Sequence, residues 1–455
     1  MNDLAALRLE NGPTAELLDD PEAARTDTTT APFDRFRAWF PRPVLSRPTV
    51  LTHDESLSLD ADLTGLLGLL QSLPERLFGG DLLAFARAVG WRGALLPEVL
   101  SLAGGAPVPL GRADLVRSPE GFKTVEFNTS SSLGSFEFGE LCRAFLSVPS
   151  FARFAERENL GYVDPLAHMA DTLLSATGHL PGQRPVIAVT RWVTAGVAVN
   201  PSLFVDLMRD LGFRVVVCTI DQLAQRKDGL YVGDLRIDVV HRAFLLQNVL
   251  ATENALELLA PLARARDAGQ VRLFTGLAAD LYGAKACLAL LSDPRHEDAF
   301  TQEERTLVAR ALPWTRRLAD EPTVVDGRTE SLVDHVLAHQ DDLLLKPGIG
   351  NAGRGVMAGW LVSGEEWASA VRSAVSTNDH VVQRRVESAG ERFVAPGEPP
   401  VAADYLLHWG LFVTAAGLSG GFVKGLPDTP QDVRFLGDGS HVGCIFQQHV
   451  DTTRN

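Results

Sequence analysis

The segment Gly111–Ser132, GRADLVRSPEGFKTVEFNTSSS, constrains the fold more than any other stretch of this 455-residue chain. Two short β-prone runs, RADLV and KTVEFN, flank SPEGF, whose Pro-Glu-Gly supplies turn chemistry, so the spacing predicts a hairpin. Alternation puts Arg112 and Asp114 on one face of the first strand, and Glu126 and Asn128 on one face of the second. An odd-length loop over 118–122 sets Asp114 opposite Glu126 and Arg112 opposite Asn128, whereas a one-residue slip separates them. Taken alone, the segment also reads as a solvated polar hairpin face. If aligned, it presents two carboxylates and an amide on one surface. Such hard oxygen donors suit Mg²⁺, which fills the rest of its shell with water and phosphate oxygens.

A second segment changes the balance between these readings. In LLLKPGIGNAGRGV, residues 343–356, Lys346 closes an apolar strand and is followed by Gly348, Gly350, Asn351, Gly353 and Gly355. A buried-strand lysine then points into a loop whose backbone N–H groups can approach phosphate, as a clamp on the tail of ATP would require. The loop contains GxGxxG, but a dinucleotide-binding turn needs those glycines between the first strand and its helix. No GK[ST] follows, which excludes a P-loop, and HRA at 241–243 lacks the aspartate of a kinase catalytic loop. Lys285, in LYGAKACLALLS, is either a phosphate ligand or a lysine snorkelling from a helix start. Gln383, in HVVQRRV, stands either at a hinge that meets adenine or at an ordinary strand end. Arg242, in IDVVHRAF, is a candidate substrate-carboxylate clamp or half of a structural salt bridge.

The formal net charge of −15 disfavours a general electrostatic role on nucleic acid or anionic membrane and points to a small-molecule ligand. Four dispersed cysteines with no CxxC read as reduced thiols. No secretory signal is apparent at the N-terminus, so a cytoplasmic location is expected. The uncharged run Tyr405–Val423 reads as two core strands joined by a turn at LSGG, since its glycines would weaken a membrane helix. Oligomeric state is not legible.

Periodicity divides the chain into a flexible acidic arm at 1–30, a helical segment with the hairpin at 31–165, a central α/β portion at 166–275 and a second α/β portion at 276–455. The expected class is therefore α/β.

Together these motifs resemble the ATP-grasp carboxylate-amine ligases, in the branch containing glutathionylspermidine synthetase and eukaryotic glutathione synthetase. Arg112-Ala-Asp114 with Glu126-x-Asn128 resembles that branch's magnesium hairpin, and EFNTSS is similar to its Glu-x-Asn-Thr segment. The resemblance implies an ATP-grasp fold with mixed and antiparallel sheets and the cofactors ATP and Mg²⁺. It places Asp114, Glu126 and Asn128 on metal, and Lys285 and Lys346 on phosphate. Gly350–Gly355 would form the mobile loop, Arg112 would meet the transferred phosphoryl group, and Ser131 would contact substrate. The implied substrates are a small carboxylate and an amine. The glutamate that relatives often carry in the lysine-glycine loop is missing, which leaves room for one metal, and for a nucleotide-binding regulatory or scaffold protein without ligase activity.

Overall fold

The computed structural model describes residues 12–103, 107–193, 202–350, 353–395, 401–427 and 440–449. Its centre is an eight-stranded sheet ordered Thr49–Leu51, His441–Gln448, Gly417–Pro427, Val401–Thr414, Gly111–Ser118, Gly121–Thr129. Gly390–Ala395 also pairs with Val401–Thr414, and Leu160–Gly161 with His441–Gln448. The sheet thus takes strands from both the 31–165 and the 276–455 segments.

Strand alternation gives this sheet two unlike faces. Ala113, Leu115, Phe127, Leu407, Trp409, Leu411 and Val423 belong to the large core that includes Leu59, Leu63, Leu66, Leu67 and Leu70 of helix His53–Phe78. Each such leucine contributes roughly 1.5–3 kcal/mol by leaving water. The helix begins at a reciprocal cap, with Glu55 N donating to Thr52 Oγ1 and Thr52 N donating to Glu55 Oε2, and ends at Gly79 with φ 57°. The opposite face carries Arg112, Asp114, Glu126 and Asn128.

Two smaller sheets flank this centre. Strands Arg272–Phe274, Val239–Arg242, Val186–Arg191 and Arg214–Thr219 form a parallel sheet in that order. Strands Thr315–Arg317, His380–Arg384, Leu343–Pro347 and Met357–Ala358 form an antiparallel sheet. Its Leu343, Leu345 and Val382 pack with Trp367, Val371 and Val336 of two helices. The intervening side chains, Leu344, Lys346 and Gln383, are left to face the central sheet.

Two expectations need correction. Residues 12–30 are not an arm: Leu17 and Ala23 are fully buried with Phe33 and Phe36. The turn in the 405–423 region lies at Ala415–Ala416, and LSGG runs within strand Gly417–Pro427. Two of its glycines serve close packing, because a Cβ on Gly421 would lie 2.3 Å from Gly410 O and one on Gly420 2.3 Å from Val163 O. Among the described residues no helix is long and apolar enough to cross a membrane.

Candidate functional site

The hairpin pairs Asp114 with Glu126 and Arg112 with Asn128, as the loop parity predicts, but by another route. Its turn is tight, with Ser118 paired to Gly121, and that even-length connection alone would put Asp114 out of step with Glu126. One extra residue between Thr124 and Glu126 restores the register: Val125 forms a β-bulge opposite the Asp114–Leu115 step. The Val125 carbonyl accepts from Lys346 Nζ at 3.4 Å and from Gln383 Nε2 at 3.3 Å. The bulge that keeps the carboxylates in register thus also supplies the carbonyl that anchors the facing lysine.

Arg112 donates to both Asp114 oxygens, Nε to Oδ1 at 2.7 Å and Nη2 to Oδ2 at 3.1 Å. Asn128 Nδ2 donates to Asp114 Oδ2 at 3.2 Å. Burial works against the Arg112 charge, yet Asp114 and then Glu126 outweigh it and hold its pKa above the ordinary value. Lys285 occupies the first position of helix Lys285–Ser292, with Nζ 3.4 Å from Glu126 Oε1 and 2.9 Å from Gly350 O. Lys346 Nζ donates to Gln383 Oε1 at 2.5 Å. Burial pulls the Lys346 pKa down to about 8, against the pull of Glu126 in the other direction.

In the glycine loop, Gly353 and Gly355 take φ of 69° and 73°, a region that favours glycine. Asn351 lies outside the described residues. Gln383 is buried, its amide shared among Lys346, Val125 O and Thr315 Oγ1, so its side chain positions the lysine.

Ser131 and Arg242 come together, but away from this cluster. Ser131 Oγ lies 2.8 Å from Arg242 O and 2.9 Å from Phe274 O, and is buried. Arg242 is fully buried, with Nη2 2.6 Å from Asp280 Oδ1 and its other donors on Thr275, Phe244 and Gly276. Of its two sequence readings the structural salt bridge is the one present. The pair docks the loop after the hairpin onto the ends of the parallel strands, in place of the substrate contact expected for it.

Two residues escaped the sequence reading. Strand pairing brings His408 opposite both Val116 and Lys424, on the face that carries Asp114. Burial lowers the His408 pKa to about 4, and burial followed by Arg112 lowers that of Lys424. Phe422 spreads over Gly410, next to Asp114 in the sheet, with the Arg112 guanidinium and the Lys424 ammonium each 5.5 Å from its ring centre. Their signal was period-two alternation in 405–427, which assigns a face only once the neighbouring strand is known.

The donor chemistry fits a hard divalent cation. Two carboxylates face each other across the hairpin with an amide beside them, and most of an octahedral shell is left for water and phosphate. Among the described residues no cluster of three His, Cys, Asp or Glu side chains forms a protein-only metal cage. A cleft of about 990 Å³ lies elsewhere, between the hairpin turn, Trp314, Leu343, Arg384 and Arg385. It includes none of Asp114, Glu126, Lys285 or Lys346. Convergent charge, not cavity size, marks the candidate site.

No protein-family model matches the chain, and no curated protein matches it in sequence. Solved structures do. An apo glutathione synthetase-like effector from Globodera pallida superimposes with a TM-score of 0.56 at 12% identity, covering 95% of this chain and 94% of that one. The fold is of the ATP-grasp type. A protein assigned as a gamma-glutamylcysteine synthetase from Methylobacillus flagellatus gives 0.43 at 10% identity, over 80% of this chain and 86% of that one. The D-cycloserine synthetase DcsG gives 0.24 at 18% identity, over 56% and 78%. Those two superpositions are too weak to carry an argument; the first supports the fold alone.

Proposed function

We propose that the protein is an ATP-dependent carboxylate-amine ligase of the glutathionylspermidine synthetase and glutathione synthetase branch, acting on small molecules. The observation that carries this reading is the convergence of Arg112, Asp114, Glu126 and Asn128 from the central sheet with Lys285 and Lys346 from across the cleft. In the proposed reaction a substrate carboxylate oxygen attacks the terminal phosphorus of ATP, and the bond to the ADP oxygen breaks. An amine then attacks the acyl carbon, and inorganic phosphate leaves with the electron pair of the C–O bond. The result is an amide, ADP and phosphate.

The side chains divide this work by position. Lys285 and Lys346 face Glu126, where they can hold phosphate oxygens, with Lys424 as a further cation on the same face. Arg112, oriented by Asp114, can stabilise charge on the phosphoryl group in transit. Asp114, Glu126 and Asn128 would hold Mg²⁺, which neutralises phosphate charge when bound with ATP. The loop of Gly350, Asn351, Gly353 and Gly355 can close over the tail and shield an acyl phosphate from water. All four cysteines are free and buried, which agrees with a reducing, cytoplasmic setting.

A mass-resolved turnover assay with Mg²⁺, ATP and pooled amino acids, short peptides and polyamines tests the proposal. The expected result is ADP together with a product lighter than acid plus amine by one water. Glu126→Gln should turn over at least roughly 100-fold more slowly while keeping its fold. The missing loop glutamate favours a second reading, a nucleotide-binding regulatory protein. Tight ATP binding with no ADP formed across the whole pool would select it.

A further inference from the structure

Four cationic side chains share the candidate site with two carboxylates: Arg112, Lys285, Lys346 and Lys424 against Asp114 and Glu126. The described residues therefore leave two positive charges in excess. The loop between Lys346 and Val356, PGIGNAGRG, adds no acid and one further cation, Arg354. ATP carries about four negative charges at neutral pH, and each divalent ion cancels two of them. A nucleotide with one divalent ion keeps two negative charges to set against this excess. With a second ion the nucleotide becomes neutral, and the excess protein charge is left buried without compensation, which is costly in a low-dielectric site.

We propose that this site takes one divalent cation per nucleotide, with Lys285 supplying the charge that a second would bring. The Lys285 ammonium spans the interval between the metal carboxylate and the phosphate loop, 3.4 Å from Glu126 Oε1 and 2.9 Å from Gly350 O. On the loop side of that interval stands a carbonyl, which suits an ammonium donor and adds no negative charge for a second ion.

The absence of an acid there is a matter of sequence and not of backbone. Gly350 does not use the left-handed region, and a Cβ built on it meets only Pro347 Cβ, at 3.9 Å, an ordinary contact. A carboxylate can therefore be placed without a clash at 350, the residue whose carbonyl meets Lys285. The same cannot be said of Gly355, whose φ is 73° and whose Cβ would lie 2.9 Å from Pro347 Cγ.

The inference rests on the ligase reading only for the presence of a bound nucleotide. The test titrates Mn²⁺ into the full-length protein saturated with β,γ-imido-ATP and counts bound ions by the paramagnetic resonance of free Mn²⁺. One ion per bound nucleotide is expected for the wild type and for Gly350→Ala, and two for Gly350→Glu. Two in the wild type overturns the single-ion proposal while leaving the ligase reading intact. One in a Gly350→Glu variant with wild-type circular dichroism and nucleotide affinity overturns the assignment of position 350. Failure of the wild type to bind the nucleotide overturns the ligase reading itself, and the proposal with it.

Discussion

Glu137 shows how a single side chain can be set by its neighbours in sequence. Phe136 and Phe138 stack on Phe412 and Phe422 of the central sheet, with ring centres 4.4 and 4.7 Å apart. The carboxyl between them is buried, and its Oε2 has no hydrogen-bond partner among the described residues. Burial pushes its pKa up to about 7, from 4.5. A raised folded-state pKa means that stability from the protonated carboxyl is fully present below about 4.5 and is lost as pH rises through 7. Glu137→Gln keeps the shape and removes the charge. Urea unfolding should show it more stable than the wild type by on the order of 3 kcal/mol at pH 8, with little difference at pH 4. A gap that stays the same at both values would place the carboxyl in contact with water.

At the scale of elements, the hairpin owes its function to one inserted residue. The alternation of Arg112, Asp114, Glu126 and Asn128 was legible in the sequence, and so was their pairing. The assumed five-residue loop, however, is a tight turn plus a bulge at Val125. Nothing marks a bulge in TVEFN, because Val125 is as β-prone as any residue of a regular strand. The LSGG glycines misled for a related reason: a glycine reads equally as a turn or as a close backbone approach, and only the partner strand decides. Lys424 and His408 depended in the same way on pairings between residues far apart in the chain. Deleting Val125 should remove the bulge and leave a regular ladder in which Asp114 still faces Glu126 and Arg112 still faces Asn128. Mn²⁺ binding should then persist, while nucleotide affinity falls roughly threefold to tenfold because the Val125 carbonyl no longer anchors Lys346 and Gln383. Loss of Mn²⁺ binding in a folded deletion variant would show that Val125 does more than fill the bulge.

Across the whole molecule, strands from early and late in the chain close one sheet, and a buried ion cluster ties that closure to strand Gly390–Ala395. Thr49–Leu51 runs parallel to Ile445–Gln447. Just before it, Arg47 donates from Nη2 to Arg392 O at 2.6 Å and to Glu391 Oε2 at 3.3 Å, with its guanidinium 4.1 Å from the centre of the Phe393 ring. Glu391 also faces Arg117 at 3.6 Å, and Arg117 pairs with Glu55 at the start of the long helix. The cluster thus joins the N-terminal segment, the hairpin and strand Gly390–Ala395, with Arg47 and Glu391 separated by 344 positions in sequence. Burial raises the Glu391 pKa, opposed by Arg47 and then Arg117. Arg47→Leu removes the nearer cation and leaves a buried carboxylate short of charge, which should cost about 3–5 kcal/mol in urea unfolding at pH 8. The loss should shrink at pH 5, because protonating Glu391 removes the charge that Arg47 compensates. Adding Glu391→Leu should recover most of it at pH 8, since an apolar pair can replace a buried ion pair at little cost. If the double variant is as unstable as Arg47→Leu alone, the stabilisation comes from the bonds of Arg47 to the backbone and the Phe393 ring, and the ion pair is incidental to the closure.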